Sequence, residues 1–227
     1  MNQLKNESLH DQELAFFARI TASISHELNN VLSIINEYSG LLADLVAGEK
    51  KGIPIEKERI NKIAQNIKDQ IKRQQEIIKI LNRFAHRLDT PLLEFNLNDL
   101  AHDIIRLSKR FASLKKVSLE FTSPKEQILI TNNPFRVQHT VFSCLKLALD
   151  DSNPNDCISI TLEKTKTHGI FKILSQAGDE TDHRRQEWEF ISRLVKNVDG
   201  KLNHEFVSDN CEVINLSVPL SSTEHIR

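Results

Sequence analysis

The first 90 residues are almost free of the residues that interrupt helices. They contain Pro54 as their only proline and three glycines, of which Gly40 falls within a helical pattern while Gly48 and Gly52 fall between two such patterns. Proline and glycine are the residues least compatible with a helix interior. The stretch therefore predicts two long helices joined by a loop at AGEKKGIP, with arms of roughly 35 residues and about 50 Å each.

Apolar side chains recur along both arms in steps of three and four, a spacing typical of a helix-packing seam. Thr21 interrupts the first seam, which comprises Leu14, Phe17, Ile24, Leu28, Val31, Ile35, Tyr38, Leu42 and Leu45. Gln74 interrupts the second, which comprises Ile60, Ile63, Ile67, Ile71, Ile77, Leu81 and Phe84. One hairpin cannot bury such a seam, so we predict a homodimer in which two hairpins form a four-helix bundle. The alternative is a hairpin packed on the rest of its own chain.

After Thr90 and Pro91 helical and strand patterns alternate, which predicts an α/β sandwich with one mixed sheet and helices on one face. The predicted helices are residues 97–116, FRVQHTVFSCLKLALDD and QEWEFISRLVKNV, the last ended by Asp199-Gly200. The predicted strands are VSLEFTS, QILITNN, CISITLEKT, GIFKILS, KLNHEFV and EVINLSVPL. The fold class is therefore α+β, with a helical hairpin over residues 1–93 and the sandwich over residues 94–227.

Composition narrows the classes of function. The chain is 39% hydrophobic and 27% charged with a net charge of −1, which favours a soluble globular protein over a nucleic-acid or membrane-surface binder. It has no CxxC or HExxH motif, no apolar N-terminal segment and no unbroken apolar run of about 18 residues. We therefore expect no metal site, no membrane span and a cytoplasmic location. Three widely spaced cysteines (Cys144, Cys157 and Cys211) suggest buried thiols in a reducing compartment.

One histidine stands out in the stretch ITASISHELNNVLSI. If Ile24 and Leu28 face the bundle core, His26 lies about 200° around the helix from Ile24, on the solvent side. The outward stripe that contains it consists of Ala22, His26, Asn30, Ser33 and Glu37. These side chains leave the imidazole accessible from outside.

The residues around His26 are those that phosphoryl transfer through a phosphohistidine requires. A neutral imidazole is a nucleophile near pH 7. Glu27 can accept a proton from the ring or hold its tautomer, and Asn30 can donate a hydrogen bond to a phosphoryl oxygen. On spacing alone, a plain surface histidine is the commoner interpretation of such a pattern.

SHELNN on a long hairpin resembles the H-box of two-component histidine kinases. The resemblance implies that His26 is the phosphoacceptor, that Glu27 assists it, and that Asn30 supports dephosphorylation of a response regulator. The likeness covers about residues 12–220. It includes EFNLNDLAHDIIRLSKRFASLKKVSLEF, similar to the segment that joins the hairpin to the ATP-binding domain, and NNPFRVQHTVFSCLKLALDD, similar to the N-box helix. EFISRLVKNVDGKLNHEFV and INLSVPL are similar to the domain's last helix and strand.

The chain departs from this family where the family binds ATP. Leu147 stands where the family has a magnesium-binding asparagine, Ser175 near its adenine-reading aspartate, and Ala177 at a motif glycine. Only DETDHRRQEW separates GDE from the last helix, in place of a glycine-rich lid. Near the expected glycine motif stand Glu187, Trp188 and Glu189. We interpret Trp188 and Phe190 as core residues of the last helix. The chain is thus most like histidine phosphotransferases that lack an ATP site.

The predicted function is therefore phosphoryl exchange between receiver-domain aspartates in a phosphorelay, with His26, Glu27 and Asn30 as the catalytic residues. The residues expected to contact the receiver are Ala22, Ser23, Asn29, Ser33 and Glu37. The chain would hold no cofactor, and the receiver would supply Mg²⁺. The alternatives are a divergent histidine kinase, a non-catalytic scaffold that binds response regulators, and a phosphatase that acts through Asn30.

The second arm carries many basic side chains, which could either dock an acidic receiver surface or simply form a solvated face. They are Lys62, Lys68, Lys72, Arg73, Lys79, Arg83 and Arg87.

Overall fold

Two long helices begin the fold, as the computed structural model of the chain shows. It describes residues 9–89, 91–179, 181–208 and 210–221. Helix α1 spans Leu9–Glu49 and helix α2 spans Lys57–His86. Between them the amides of Lys51 and Ile53 donate to the carbonyl of Gly48, and Gly52 takes a φ of 83° that favours glycine. The predicted hairpin is confirmed, although its arms differ in length, with 41 and 30 residues.

The described chain forms two compact units. One consists of residues 17–83, the greater part of the hairpin. The other contains the described residues up to Phe16 and everything from Phe84 onward. The division lies inside both long helices, whereas the sequence predicted a boundary after residue 93.

An aromatic cluster explains where the units divide. The ring of Phe16 stacks on His139 with 4.4 Å between ring centroids, and its centroid lies 5.3–5.5 Å from those of Phe84, Phe135 and Phe142. The first turns of α1 and the end of α2 are thereby part of the C-terminal core. The predicted seam was wrong here, since Leu14 is exposed and Phe17 half-buried while Phe16 is buried.

Two ion pairs accompany this cluster. Arg136 Nε donates to Glu13 Oε1 at 2.8 Å. Arg87 Nη2 donates to Asp103 Oδ2 at 2.7 Å, and the Asp103 side chain is only 4% exposed. Because burying a charge without a partner is costly, these pairs favour the same placement of the helix ends.

The apolar residues of the hairpin are only partly buried. Ile20, Ile24, Val31, Ile63, Ile77 and Ile80 are buried. Large aliphatic side chains that are 38–50% exposed occur along both helices, at Leu32, Leu41, Val46, Ile60, Ile71 and Ile78. So much exposed apolar surface on two neighbouring helices is typical of an interaction face.

Helix α1 also passes a length and composition test for a membrane span. One 18-residue stretch of α1 has a mean hydropathy of 1.2, and 6% of that stretch is buried in the structure. An apolar helix of a soluble protein passes the same test, so this is weak evidence. The absence of a membrane span stays a prediction.

The C-terminal unit contains the predicted helices and strands together with one strand that the sequence did not reveal. Its elements are β1 (Leu93–Asn96), α3 (Leu97–Lys115), β2 (Ser118–Thr122), β3 (Leu129–Asn132), α4 (Pro134–Asp151), β4 (Cys157–Lys164), β5 (His168–Gln176), α5 (Asp182–Lys196), β6 (Lys201–Ser208) and β7 (Cys211–Pro219). The main sheet has the order β2-β4-β5-β7-β6, with β2 and β4 parallel and the other pairs antiparallel. The prediction of a single sheet was incomplete, because β3 leaves it to pair with β1.

Alternating burial along the strands defines the core. In β4, β5 and β7 every second residue is buried, for example Ile160, Ile173 and Ile214. Helix α5 begins at Asp182, four residues before the predicted start, because the side chain of Thr181 accepts the amide N–H of Arg184 as an N-cap. This earlier start leaves residues 177–181 between β5 and α5, fewer than the sequence predicted.

The expectation of buried thiols is confirmed only in part. Cys144 is buried, and this burial raises its pKa to about 12, so the thiol is inert at neutral pH. Cys157 is exposed and Cys211 is half-buried.

Replacing Phe16 tests the role of the aromatic cluster. We expect Phe16→Ala to lower the free energy of unfolding by about 3–5 kcal/mol, because it removes a buried ring from a packed core. Leu14→Ala, which truncates an exposed side chain two residues away, should cost less than about 1 kcal/mol. Urea denaturation measures both. Equal losses would mean that the seam predicted from the sequence, and not the cluster, describes the start of α1.

Candidate functional site

His26 lies on the exposed face of α1, as predicted. Ala22, Asn29, Asn30, Ser33 and Glu37 are also exposed, so this part of the predicted surface exists. Ser23 is 8% exposed and does not contribute its side chain to that surface. Among the described residues His26 has no hydrogen-bond partner, which leaves both ring nitrogens available.

Hydroxyl groups close to His26 are satisfied within their own helix. Ser25 Oγ donates to the carbonyl of Thr21 at 2.9 Å, and Thr21 Oγ1 donates to that of Phe17 at 2.9 Å. Small side chains bonded in this way occupy little space. An incoming group can therefore approach the imidazole along this side of the helix.

Glu27 has a specific partner on the other helix of the hairpin. Arg73 Nη2 donates to Glu27 Oε1 at 3.0 Å, and the two side chains are 53% and 26% exposed. The sequence prediction placed Arg73 among general basic side chains and missed this pairing. The opposite charges on the two arms were visible, but matching them required the register between α1 and α2.

Other basic side chains of α2 differ in their surroundings. Lys79 pairs with Glu76 at 2.9 Å, and Arg87 is held by Asp103. Lys62, Lys68 and Lys72 are exposed. Both interpretations of these three lysines, as a docking surface or a solvated face, stay open.

The resemblance implies nucleotide contacts at two positions whose side chains are buried in the C-terminal unit. Leu147 on α4 is 4% exposed and Ser175 on β5 is 3% exposed. A leucine side chain offers no ligand to a metal ion. The hydroxyl of Ser175 is buried without a hydrogen-bond partner in the described chain.

A buried arginine lies next to these positions. Arg184, in the first turn of α5, is 9% exposed and donates to the carbonyl of Gly178 at 2.7 Å. Its guanidinium pairs with the fully buried Glu212 and approaches Asp151 with 3.5 Å between Nε and Oδ2. Glu212 stands opposite Ser175 in the pairing of β5 with β7. We call Asp151, Arg184 and Glu212 the arginine network.

The arginine network also fixes the connection between β5 and α5. A Cβ atom at Gly178 would clash with the carboxylate of Asp151, so a larger residue there would displace that side chain. One signal of the network is visible in the sequence, since Glu212 occurs in phase with the core-facing Ile214 and Leu216. An acid at such a position requires a buried partner, but the pattern does not identify Arg184 as that partner.

The charges of the arginine network do not balance, because two carboxylates share one guanidinium. Burial raises the pKa of Asp151, Arg184 opposes this effect, and Glu212 and Asp150 add to it. Nδ1 of His204 also lies 3.4 Å from the second oxygen of Glu212. Glu212 is thus the main partner of Arg184 and Asp151 the weaker one.

The aromatic residues of α5 contact other elements of the same unit. Trp188 is half-buried, with its ring centroid 4.7 Å from that of His204 on β6. Phe190 lies 5.9 Å from His139 on α4. Both rings are half-buried and take part in packing, so the interpretation of them as core residues was only partly right.

Comparison with known proteins finds histidine kinase folds. No protein-family model matches the chain. It is 23% identical over 156 residues to the sensor protein DegM from Bacillus sp. (strain B21-2), an alignment of 68% of this chain and 37% of that protein, so it spans little more than a third of this relative. A histidine kinase from Burkholderia phymatum STM815 superposes with a TM-score of 0.52 at 13% identity, covering 91% of this chain and 98% of that one.

A second solved structure matches a smaller share of the chain. The catalytic domain of the histidine kinase ThkA superposes with a TM-score of 0.51 at 15% identity, covering 58% of this chain and 98% of that domain. The chain therefore has the fold of a histidine kinase, a helical hairpin followed by an ATPase-like domain.

Two substitutions distinguish the carboxylates of the arginine network. Glu212→Gln should lower the free energy of unfolding by about 3 kcal/mol, because it leaves a buried guanidinium with only its weaker partner. Asp151→Asn should cost less, since Arg184 keeps Glu212.

The raised pKa of Asp151 means that the folded state binds its proton more tightly, so the stability from this group decreases as the pH rises above its ordinary pKa of 3.8. In urea denaturation, the stability of the wild type should therefore decrease relative to that of Asp151→Asn as the pH rises above about 4. The opposite trend would assign Asp151 the stronger ion pair.

Proposed function

We propose that this chain is a histidine phosphotransferase of a two-component phosphorelay, with His26 carrying the phosphoryl group. The observation that carries the proposal is an exposed, unpartnered histidine on the hairpin of a histidine kinase fold whose nucleotide-motif positions are filled by the chain's own side chains. The exposed histidine supports phosphoryl transfer through His26. The filled nucleotide-motif positions favour a receiver domain over ATP as the phosphoryl donor.

The proposed reaction requires only groups that the two proteins supply. A lone pair of the neutral His26 ring attacks the phosphorus of a receiver aspartyl phosphate, a P–N bond forms, and the P–O bond to the aspartate breaks. The aspartate leaves as a carboxylate that the receiver's own Mg²⁺ stabilises. Glu27 stabilises or accepts the proton on the second ring nitrogen, and Asn30 donates to a phosphoryl oxygen. Transfer to the next receiver is the reverse reaction.

The C-terminal unit supports loss of the ATP site. Leu147 cannot coordinate the magnesium that accompanies a nucleotide. The arginine network fills the space beside Ser175, and residues 177–181 leave no length for a lid over a triphosphate. The two carboxylates of the network would also repel phosphates. These residues do not fit ATP, so no step of the proposed mechanism involves it.

The exposed apolar residues of the hairpin support a homodimer. Large aliphatic side chains that are 38–50% exposed occur along both helices, from Leu32 and Val46 on α1 to Ile60 and Ile78 on α2. Their burial against a second copy would complete a four-helix bundle. Each dimer would then present two His26 side chains to receiver domains in the cytoplasm.

A mass measurement tests the dimer. Light scattering of the purified chain should give twice the 26.0 kDa mass of one copy. Ile71→Asp should shift the mass toward one copy, because it introduces a charge into the apolar face of α2. Leu114→Asp is the control, since Leu114 is 70% exposed on α3. A wild-type mass of one copy would contradict the dimer.

Radiolabel transfer tests the function. Receiver domains from the same genome, each phosphorylated with labelled phosphate, are mixed with wild-type protein, and a parallel reaction contains labelled ATP alone. We expect label to reach the wild type from at least one receiver, no label from ATP, and no transfer to His26→Ala. Asn30→Ala should retain the phosphohistidine but react more slowly.

Each alternative function has its own outcome in this experiment. Label from ATP alone would establish a divergent kinase and contradict our interpretation of Leu147 and the arginine network. Receiver binding without transfer, unaffected by His26→Ala, would favour a scaffold. Faster receiver dephosphorylation that depends on Asn30 but not on His26 would indicate a phosphatase.

A further inference from the structure

We infer that Arg73 is a positioning residue for phosphoryl transfer, because it fixes the carboxylate of Glu27 next to His26. This inference rests on the proposed role of His26. It adds a residue of the second helix to a site whose other residues all belong to α1. The observation behind it is the Arg73–Glu27 ion pair at 3.0 Å.

The geometry of the helix allows the Glu27 side chain to point in two directions. Successive side chains diverge by about 100°, so Glu27 can reach toward the neighbouring imidazole or toward α2. A glutamate side chain has several rotatable bonds and would otherwise sample many conformers. A hydrogen bond from Arg73 restricts it to those in which one oxygen is held by α2. Because Arg73 holds one oxygen of the Glu27 carboxylate, the position of the second oxygen is also restricted.

The charge of Arg73 has a second effect. An aspartyl phosphate brings negative oxygens toward His26, and the adjacent Glu27 carboxylate repels them. The guanidinium offsets this repulsion without occupying the face of the imidazole. Because Arg73 is 53% exposed, it can keep its contact with Glu27 while a partner approaches. The effect of Arg73 should therefore depend on the presence of the Glu27 carboxylate.

Phosphoramidate provides a test that needs no partner protein. A His26 nitrogen attacks its phosphorus, a new P–N bond forms, and the original P–N bond breaks with release of ammonia. We would measure the rate of His26 labelling in the full chain for wild type, Arg73→Gln, Arg73→Lys, Glu27→Gln and the double variant Glu27→Gln/Arg73→Gln. Arg59→Gln is the matched control, since it removes the same charge from an exposed position of α2 about 21 Å away along the helix.

The inference predicts a specific pattern of rates. Arg73→Gln should slow labelling by about ten-fold, less than the roughly 100- to 10,000-fold that a whole acid–base group contributes, because Glu27 itself remains. Arg73→Lys should recover most of the rate, and Arg59→Gln should match the wild type. In the Glu27→Gln background, Arg73→Gln should have no further effect, because its partner is already absent. Helix content and mass should be the same in all variants.

Three results would overturn the inference: an Arg73→Gln rate equal to the wild type, an equal slowing with and without the Glu27 carboxylate, or no labelling of His26 at all. Failure of the proposed function is a different result. In that case phosphoramidate labels His26 with the predicted dependence on Arg73, but no receiver domain exchanges a phosphoryl group with it.

Discussion

The packing of Phe16 against His139 and three phenylalanines determines how this chain is divided. Because the ring lies in the core of the C-terminal unit, the first turns of α1 and the last turn of α2 are also part of that core. Helix α1 therefore starts, and helix α2 finishes, in a packed core rather than in a linker. The ion pairs Glu13–Arg136 and Arg87–Asp103 favour the same arrangement. The rest of the hairpin lacks such a core and keeps much of its apolar surface exposed.

Two arginine–glutamate pairs show that the effect of an ion pair depends on how deeply it is buried. Arg184 and Glu212 are buried, so breaking the pair leaves a buried charge with only its weaker partner Asp151, and stability decreases. Arg73 and Glu27 are partly exposed, where an ion pair contributes little to stability. The value of the second pair lies in the conformation that it imposes on Glu27. We therefore expect the first pair to matter for folding and the second for chemistry.

The chain has the fold of a histidine kinase, and its loss of a nucleotide site is part of the proposed function. A fold by itself does not define a reaction, because function depends on the groups at a site. At the positions in question the chain has a buried leucine, a buried serine and an arginine that contacts the backbone of Gly178. The sheet and helices of the C-terminal unit hold the start of α1 and the end of α2, and the groups of the proposed reaction lie on α1 and α2.

The sequence by itself determined the hairpin, its turn at Gly52, the order of the helices and strands from α3 onward, and the outward direction of His26. These features follow from local periodicity and from helix-breaking residues, which act over a few neighbours in the chain. Only the tertiary structure decided that Phe16 and not Phe17 is buried, that β3 pairs with β1, that Arg184 pairs with Glu212, and that Arg73 holds Glu27. Each of these depends on which residues from distant parts of the chain meet. Periodicity gives the direction of a side chain on its own element, but not the partner that it finds there.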